Sequence, residues 1–214
     1  MVEPMREAHS AEPRPYHHGD LRRALVEAAR RLLESEGPSA LSLRAVAREA
    51  GVSPAAPYHH FKDKSELLDA VAHEGWEMLH AAMSEAKGGV EGRQQLTALG
   101  IAYVCFAREH PALYRVMYDA ARDKEALPIE THDGSGDSAY CMVRDTMIEH
   151  GADPQAGPDL ELATIASWCA AHGLAEMAGF KQFEPFKAQL GGERAFFEAV
   201  LNHMGLFPSA HRDC

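Results

Sequence analysis

Apolar residues recur at three- and four-residue intervals along most of the chain. Leu21, Leu25, Ala28, Ala29, Leu32 and Leu33 trace the first such stripe from Asp20 onward, the spacing of one helical face. Arg22, Arg23, Arg30 and Arg31 fall on its other faces, and Gly37-Pro38 ends it. Ser42 is placed to cap a second, short helix with Leu43, Val46, Ala47 and Ala50 inward. Gly51 stops that helix, because glycine tolerates the left-handed conformation after a C-cap. Ser53 is then placed to cap a third helix with Pro54 at its first position, where a missing N–H costs nothing. Pro57 falls at the fourth position and deletes the first intrahelical bond, so a helix with a mild defect is expected there. A long helix from about Lys64 to Ala86 carries Leu67, Leu68, Val71, Trp76, Leu79 and Met83. Further helical patterns cover residues 91–109, 111–126, 138–150, 159–179 and 192–204. No alternating strand pattern competes and no internal repeat is visible. The expectation is an all-α protein with a disordered arm over residues 1–16 and a mobile loop between Leu127 and Asp137.

At 214 residues, with 46% hydrophobic and 25% charged residues, the chain is long enough for a large domain or two unequal ones. The N-terminus has no apolar core of a signal peptide, and the uncharged run from Leu162 to Ala175 is too short to span a bilayer. Cys105, Cys141, Cys169 and Cys214 show no short spacing, which reads as free thiols in a reducing compartment. A soluble, cytoplasmic type of protein is expected. The net charge of −11 hides an asymmetry: residues 1–64 hold 10 Lys and Arg against 9 Asp and Glu, and residues 65–214 hold 11 against 23. The N-terminal part is free to present a basic face that the acidic remainder cannot.

That part contains GVSPAAPYHHFKDK, residues 51–64. Two short helices around Gly51, behind a longer first helix, have the form of a helix-turn-helix whose second member reads a major groove. Small residues and prolines keep the helix start compact against base edges, while Tyr58 and the lysines are suited to phosphates. His59 and His60 do not suggest metal, because neighbours on a helix point about 100° apart; neither a metal nor another cofactor is expected.

The run LSLRAVAREAGVSPAAPYHHFKDKSELL resembles the N-terminal domain of TetR-family transcriptional regulators. The likeness covers about residues 17–68 without a gap. Trp168-Cys169-Ala170-Ala171-His172-Gly173 and His110-Pro111-Ala112-Leu113-Tyr114 resemble the ligand-binding domain of a Trp-His-Gly subgroup of that family. The resemblance implies a helix-turn-helix DNA-binding domain over residues 17–63 and an effector-binding and dimerisation domain over residues 64–214. It implies a homodimer on double-stranded operator DNA, a non-enzymatic repressor released by an unidentified small molecule, with activation left open. Carried over by position, Arg44 becomes a base contact, and Pro54, Ala55 and Ala56 become groove-facing residues. Tyr58, His59, His60 and Lys64 become mainly phosphate contacts, with Ser42 and Lys62 as further backbone contacts. Val52 and Phe61 belong to the core. Ala55 and Ala56 offer only methyl contacts, so direct readout rests on Arg44, the histidines or DNA shape. Arg14, His17 and His18 are arm residues placed to enter a minor groove.

Tyr103, Phe106, Tyr114, Met117, Trp168 and His172 are the candidate effector contacts, with His172 as the polar one. The bland alternative is plain core, with His172 a hydrogen-bonded core histidine one turn from Trp168. The 159–179 helix is apolar on two sides: Ala166, Ala170, Gly173 and Met177 on one, Ile165, Trp168, His172 and Ala175 on the other. The small-residue side, with Phe196, Phe197, Val200, Leu201 and Met204, suits a two-fold seam. The competing class is a small-molecule-binding protein or enzyme with an architectural helix-turn-helix, and a shared solvent-facing placement of Arg44, Tyr58, Lys62 and Lys64 argues against it.

Overall fold

The computed structural model of the chain describes residues 18–122 and 138–203. The arm with Arg14 and His17, the 127–137 loop and Met204 lie outside these, and only the backbone of His18 is included. Among the described residues there are nine α-helices, two short 3-10 turns and no strand. The helices are α1 (His18–Glu36), α2 (Leu43–Glu49), α3 (Lys64–Gly88), α4 (Gln94–Glu109), α5 (Pro111–Arg122), α6 (Ala139–Glu149), α7 (Pro158–Met177), α8 (Glu184–Leu190) and α9 (Glu193–His203).

The N-terminal unit is built as its apolar spacing predicts. Leu25, Ala28, Ala29, Leu32 and Leu33 of α1 are buried with Leu43 and Val46 of α2, Phe61 and Leu67. Ser42 caps α2, its hydroxyl accepting from the Ala45 amide at 3.1 Å. At the other end the Val52 amide reaches the Ala47 carbonyl at 2.9 Å and the Gly51 amide reaches Arg48 at 3.2 Å. That pair of bonds needs a left-handed residue between helix and exit, and Gly51 supplies it at φ +68°.

The expected third helix is not an α-helix. Residues 56–59 form a 3-10 turn, held by bonds from the Ala56 amide to Ser53 and from the Tyr58 amide to Ala55. Pro57 has no N–H to give Ser53, so the four-residue ladder cannot start. It resumes only where the Phe61 amide meets the Pro57 carbonyl at 2.9 Å. The Pro57 ring is buried, which fixes this turn against the unit.

Asp63 caps α3 by accepting from the Glu66 amide at 3.0 Å, while Glu66 accepts from the Lys62 amide at 2.8 Å. The 25-residue helix α3 thus starts inside the N-terminal unit and runs on through the C-terminal bundle, packing against α4 and α5. Gly75 makes that approach close: a Cβ there would sit 2.6 Å from Met117 Sδ and 3.1 Å from Leu113. In turn α4 packs on α7 and α9. The short α8, with Pro185 in its first turn, was not foreseen from the sequence. Lys187 ties it down from a buried position, reaching Glu184 at 2.9 Å and Glu193 at 3.0 Å.

Candidate nucleic-acid interface and interior site

Around the Gly51 turn the structure gathers one set of exposed side chains. Arg44 on α2, Pro54, Ala55, Tyr58, His59, Lys62 and Lys64 are exposed, and Ala56 and His60 are half-buried. Ser42 is exposed beside them, its hydroxyl occupied in capping α2. Tyr58 leaves 53% of its surface in solvent, an unusual fraction for a ring that gains by burial. Lys64 already has a role in the isolated chain, since its Nζ donates to the Pro38 carbonyl at 2.9 Å. Arg48, also exposed, stands on the same short helix and was not singled out from the sequence.

The other cations of this unit are engaged elsewhere. Arg31 pairs with Glu27 at 3.0 Å and Glu49 at 3.2 Å, and Arg30 pairs with Glu34 and Glu74. Arg22 lies over the buried Phe61 ring, 5.1 Å from its centroid. With Arg22, Arg30 and Arg31 so engaged, Arg44, Arg48, Lys62 and Lys64 are the exposed cations around the Gly51 turn.

The second site lies inside the C-terminal bundle. Tyr103 of α4, Tyr114 and Tyr118 of α5, and Trp168 and His172 of α7 form one hydrogen-bonded group. The Trp168 indole N–H donates to Tyr118 at 3.0 Å, and Tyr118 bonds Tyr103. Tyr103 and Tyr114 are 2.9 Å apart, and Tyr114 lies 2.5 Å from His172 Nδ1. Tyr103 also approaches Nδ1 at 3.2 Å. Burial, followed by the neighbouring Tyr118 and Tyr114, holds the Tyr103 hydroxyl far above the ordinary tyrosine range. Tyr114 is raised for the same first reason, and Tyr118 is pushed up to about 12 although its hydrogen bonds pull the other way. All three hydroxyls keep their protons near neutral pH.

Beside this group a narrow cleft runs between α3, α4, α6 and α7. Met83, Leu96, Leu99, Tyr103, Val143 and Trp168 are among its walls, with about 10 Å³ of free room for a water-sized body. Tyr103 and Trp168 therefore belong both to the cleft and to the polar group. Tyr114 and His172 belong to the polar group alone, with His172 stacked 5.6 Å from Tyr114. Phe106 and Met117 are buried away from the cleft, Phe106 against the His110 ring at 5.1 Å and Met117 against Gly75. Tyr118, which the sequence places in the same aromatic and methionine stripe one turn from Tyr114, joins Trp168 to Tyr103.

Two family models match the chain. That of bacterial regulatory proteins of the tetR family covers residues 25–71, and that of the tetracyclin repressor-like C-terminal domain covers residues 96–204. The chain belongs to the TetR family. The uncharacterized HTH-type transcriptional regulator YobS of Bacillus subtilis is similar to the chain, at 26% identity over 62% of it. The match spans 66% of YobS. A solved protein of unknown function from Rhodococcus sp. RHA1 is 34% identical over 90% of this chain and 95% of its own, with a TM-score of 0.67. The TetR-family regulator PfmR of Thermus thermophilus shares the fold, at 20% identity over 88% of this chain and 99% of its own, with a TM-score of 0.56.

In this TetR-family chain the outward stripe of α7 differs from the sequence expectation. Ala170 is buried, whereas Leu162 and Ile165 are exposed, together with Cys169 and Met177. A Cβ on Gly173 would meet nothing within 4 Å. Among the described α9 residues expected at a seam, Phe196, Phe197 and Leu201 are buried within the chain and Val200 is half-buried. The short α8 adds exposed Phe186 and Leu190. Among the described residues, no helix is long and apolar enough to cross a membrane.

Proposed function

We propose that this TetR-family chain is a homodimeric repressor whose reading heads grip operator DNA and let go when a small molecule enters the C-terminal bundle. One observation carries the reading. Arg44, Tyr58, His59, Lys62 and Lys64 share the solvent-facing rim of the Gly51 turn while Arg30 and Arg31 of α1 are paired away. An architectural helix pair has no reason to leave that set together. Arg44 carries base readout as a bidentate donor, Ala55 and Ala56 offer methyl contacts, and Tyr58, His59, His60, Ser42, Lys62 and Lys64 position the head on phosphates. The open stripe of Leu162, Ile165, Cys169, Gly173 and Met177 is the seam that brings in a second head.

Selection of genomic fragments on the purified protein, followed by footprinting, tests this reading. Two protected half-sites about one helical turn apart are expected, with the protection lost in Arg44→Ala. A chain that selects no fragment, or an Arg44→Ala variant with unaltered sequence preference, overturns it.

A further inference from the structure

The direction of the hydrogen bonds around Tyr103 follows from counting protons. Five contacts join Trp168, Tyr118, Tyr103, Tyr114 and His172. The indole nitrogen is only a donor, so Tyr118 accepts from Trp168 and must use its own proton on Tyr103. Tyr103 then donates to Tyr114, and Tyr114 donates to His172 Nδ1, which it approaches at 2.5 Å against 3.2 Å for Tyr103. With Nδ1 accepting, each of the four protons has an acceptor. With Nδ1 protonated, one tyrosine hydroxyl inside the group has nowhere to point, which costs free energy in a buried site. The group is thus a one-way relay from Trp168 to His172, and its hydroxyl protons are all engaged.

At the cleft, what remains to offer a visitor is acceptor capacity on the Tyr103 oxygen and on Ser167, whose hydroxyl proton goes to the Ala163 carbonyl at 2.9 Å. Tyr103 is the tyrosine of the group that also lines the cleft, whose other walls are apolar apart from the Trp168 indole nitrogen and Ser167. An ion taken in among them would lose its hydration against apolar surface. From these two observations, and resting on the effector reading above, we infer that the ligand of this bundle is a small uncharged aromatic molecule bearing one hydrogen-bond donor, a phenol by class. Its ring lies between Leu99, Val143 and Trp168, and its hydroxyl donates to Tyr103 in the middle of the relay. A molecule that only accepts hydrogen bonds has to break a relay bond to be satisfied. The cleft has room for little more than a water, so entry parts α4 from α7 and displaces Met83 of α3. Binding and shape change are therefore one event.

The chain carries its own reporter, since its two tryptophans, Trp76 and Trp168, stand 6.4 Å apart at this site. Tryptophan fluorescence of the full chain is titrated with p-cresol, with p-xylene of the same shape, with p-methylanisole, which keeps the oxygen but not its proton, and with p-toluate. Quenching by p-cresol at a Kd roughly tenfold below those of p-xylene and p-methylanisole is expected, with no response to p-toluate. Tyr114→Phe should narrow the gap between p-cresol and p-xylene while leaving p-xylene binding alone, a selective change that a folding defect does not produce. Equal binding of p-methylanisole overturns the donor requirement, a preference for p-toluate overturns the uncharged class, and silence with every probe overturns the site. If p-cresol binds as expected but operator affinity does not change, the ligand class stands and the effector reading fails.

Discussion

Glu34 Oε1 and His110 Nδ1 lie 2.7 Å apart, 76 positions apart in sequence. The contact joins α1 of the reading head to the residue between α4 and α5. Arg30 extends it, pairing with Glu34 at 3.3 Å and with Glu74 of α3 at 3.0 Å. His110 lies two turns after Tyr103 on α4, with Phe106 packed against its ring. The contact thus ties α1 to the end of α4, beside the packing of α1 on α3 and α5.

The latch has a measurable strength. Its side chains are about three-quarters buried, so a coupling near 1 kcal/mol is expected, at the upper end of the range of exposed pairs. Denaturant unfolding of His110→Ala, Glu34→Ala and the double variant should give single losses whose sum exceeds the loss of the double by about that amount. Strict additivity would show that the contact carries no coupling.

Lys62 and Lys64 should separate in their behaviour. Lys62 is exposed and presents its charge outward, whereas Lys64 also binds the Pro38 carbonyl. In salt titrations of DNA binding, each alanine variant should lower the slope of log affinity against log salt by about one unit. Unfolding free energy should stay within about 0.5 kcal/mol of wild type for Lys62→Ala and drop by about 1 kcal/mol for Lys64→Ala. Unchanged salt slopes in both would remove them from the DNA face.

The parts of this molecule written in local spacing were legible in the sequence. The α1 stripe, the Ser42 cap and the Gly51 exit each depend on residues within a turn or two, and each is where the pattern put it. Pro57 was visible but its weight was not: with Pro54 three residues before it, a lost bond at the fourth position stops the α-helix from forming at all. The short α8 carries too few apolar repeats to declare itself between Gly179 and Gly191. The relay through Tyr103, Tyr118 and His172, and the Glu34–His110 latch, join residues far apart in sequence, which no periodicity encodes. On α7 the two apolar sides were legible, but which residues the bundle covers depends on its neighbours.

Alkaline pH should weaken the fold through the tyrosine relay. Tyr118 holds its proton up to about pH 12 in the folded chain against about 10 when unfolded. A group whose folded pKa is raised contributes stability in full below its unfolded value and loses it as pH climbs through the folded one. Unfolding free energy should therefore begin to fall above about pH 10, with Tyr118 alone accounting for on the order of 2 kcal/mol by pH 12. Tyr118→Phe should start lower at pH 8, having lost two relay bonds, and decline less steeply above pH 10. Parallel declines in the two proteins would show that Tyr118 does not carry this part of the alkaline loss.

Gly173→Leu separates folding from assembly. Within one chain the position is open, with nothing within 4 Å of an added Cβ, and leucine favours helix over glycine by roughly 0.5–1 kcal/mol. A protomer carrying the change should therefore keep its helical content and unfold at or above the wild-type denaturant midpoint when both are measured as monomers. If the stripe of Leu162, Ile165, Cys169, Gly173 and Met177 meets its copy across a two-fold axis, the same leucine falls at the closest approach of two helices. Overpacking there costs about 1–3 kcal/mol for each intrusion, and a symmetric seam suffers it twice. Sedimentation should then show a well-folded monomer, and DNA affinity should drop because one head alone loses the second half-site. A Gly173→Leu protein that sediments as a dimer with wild-type DNA affinity would move the seam off this face, leaving the exposed Phe186 and Leu190 of α8 as the surface to test next.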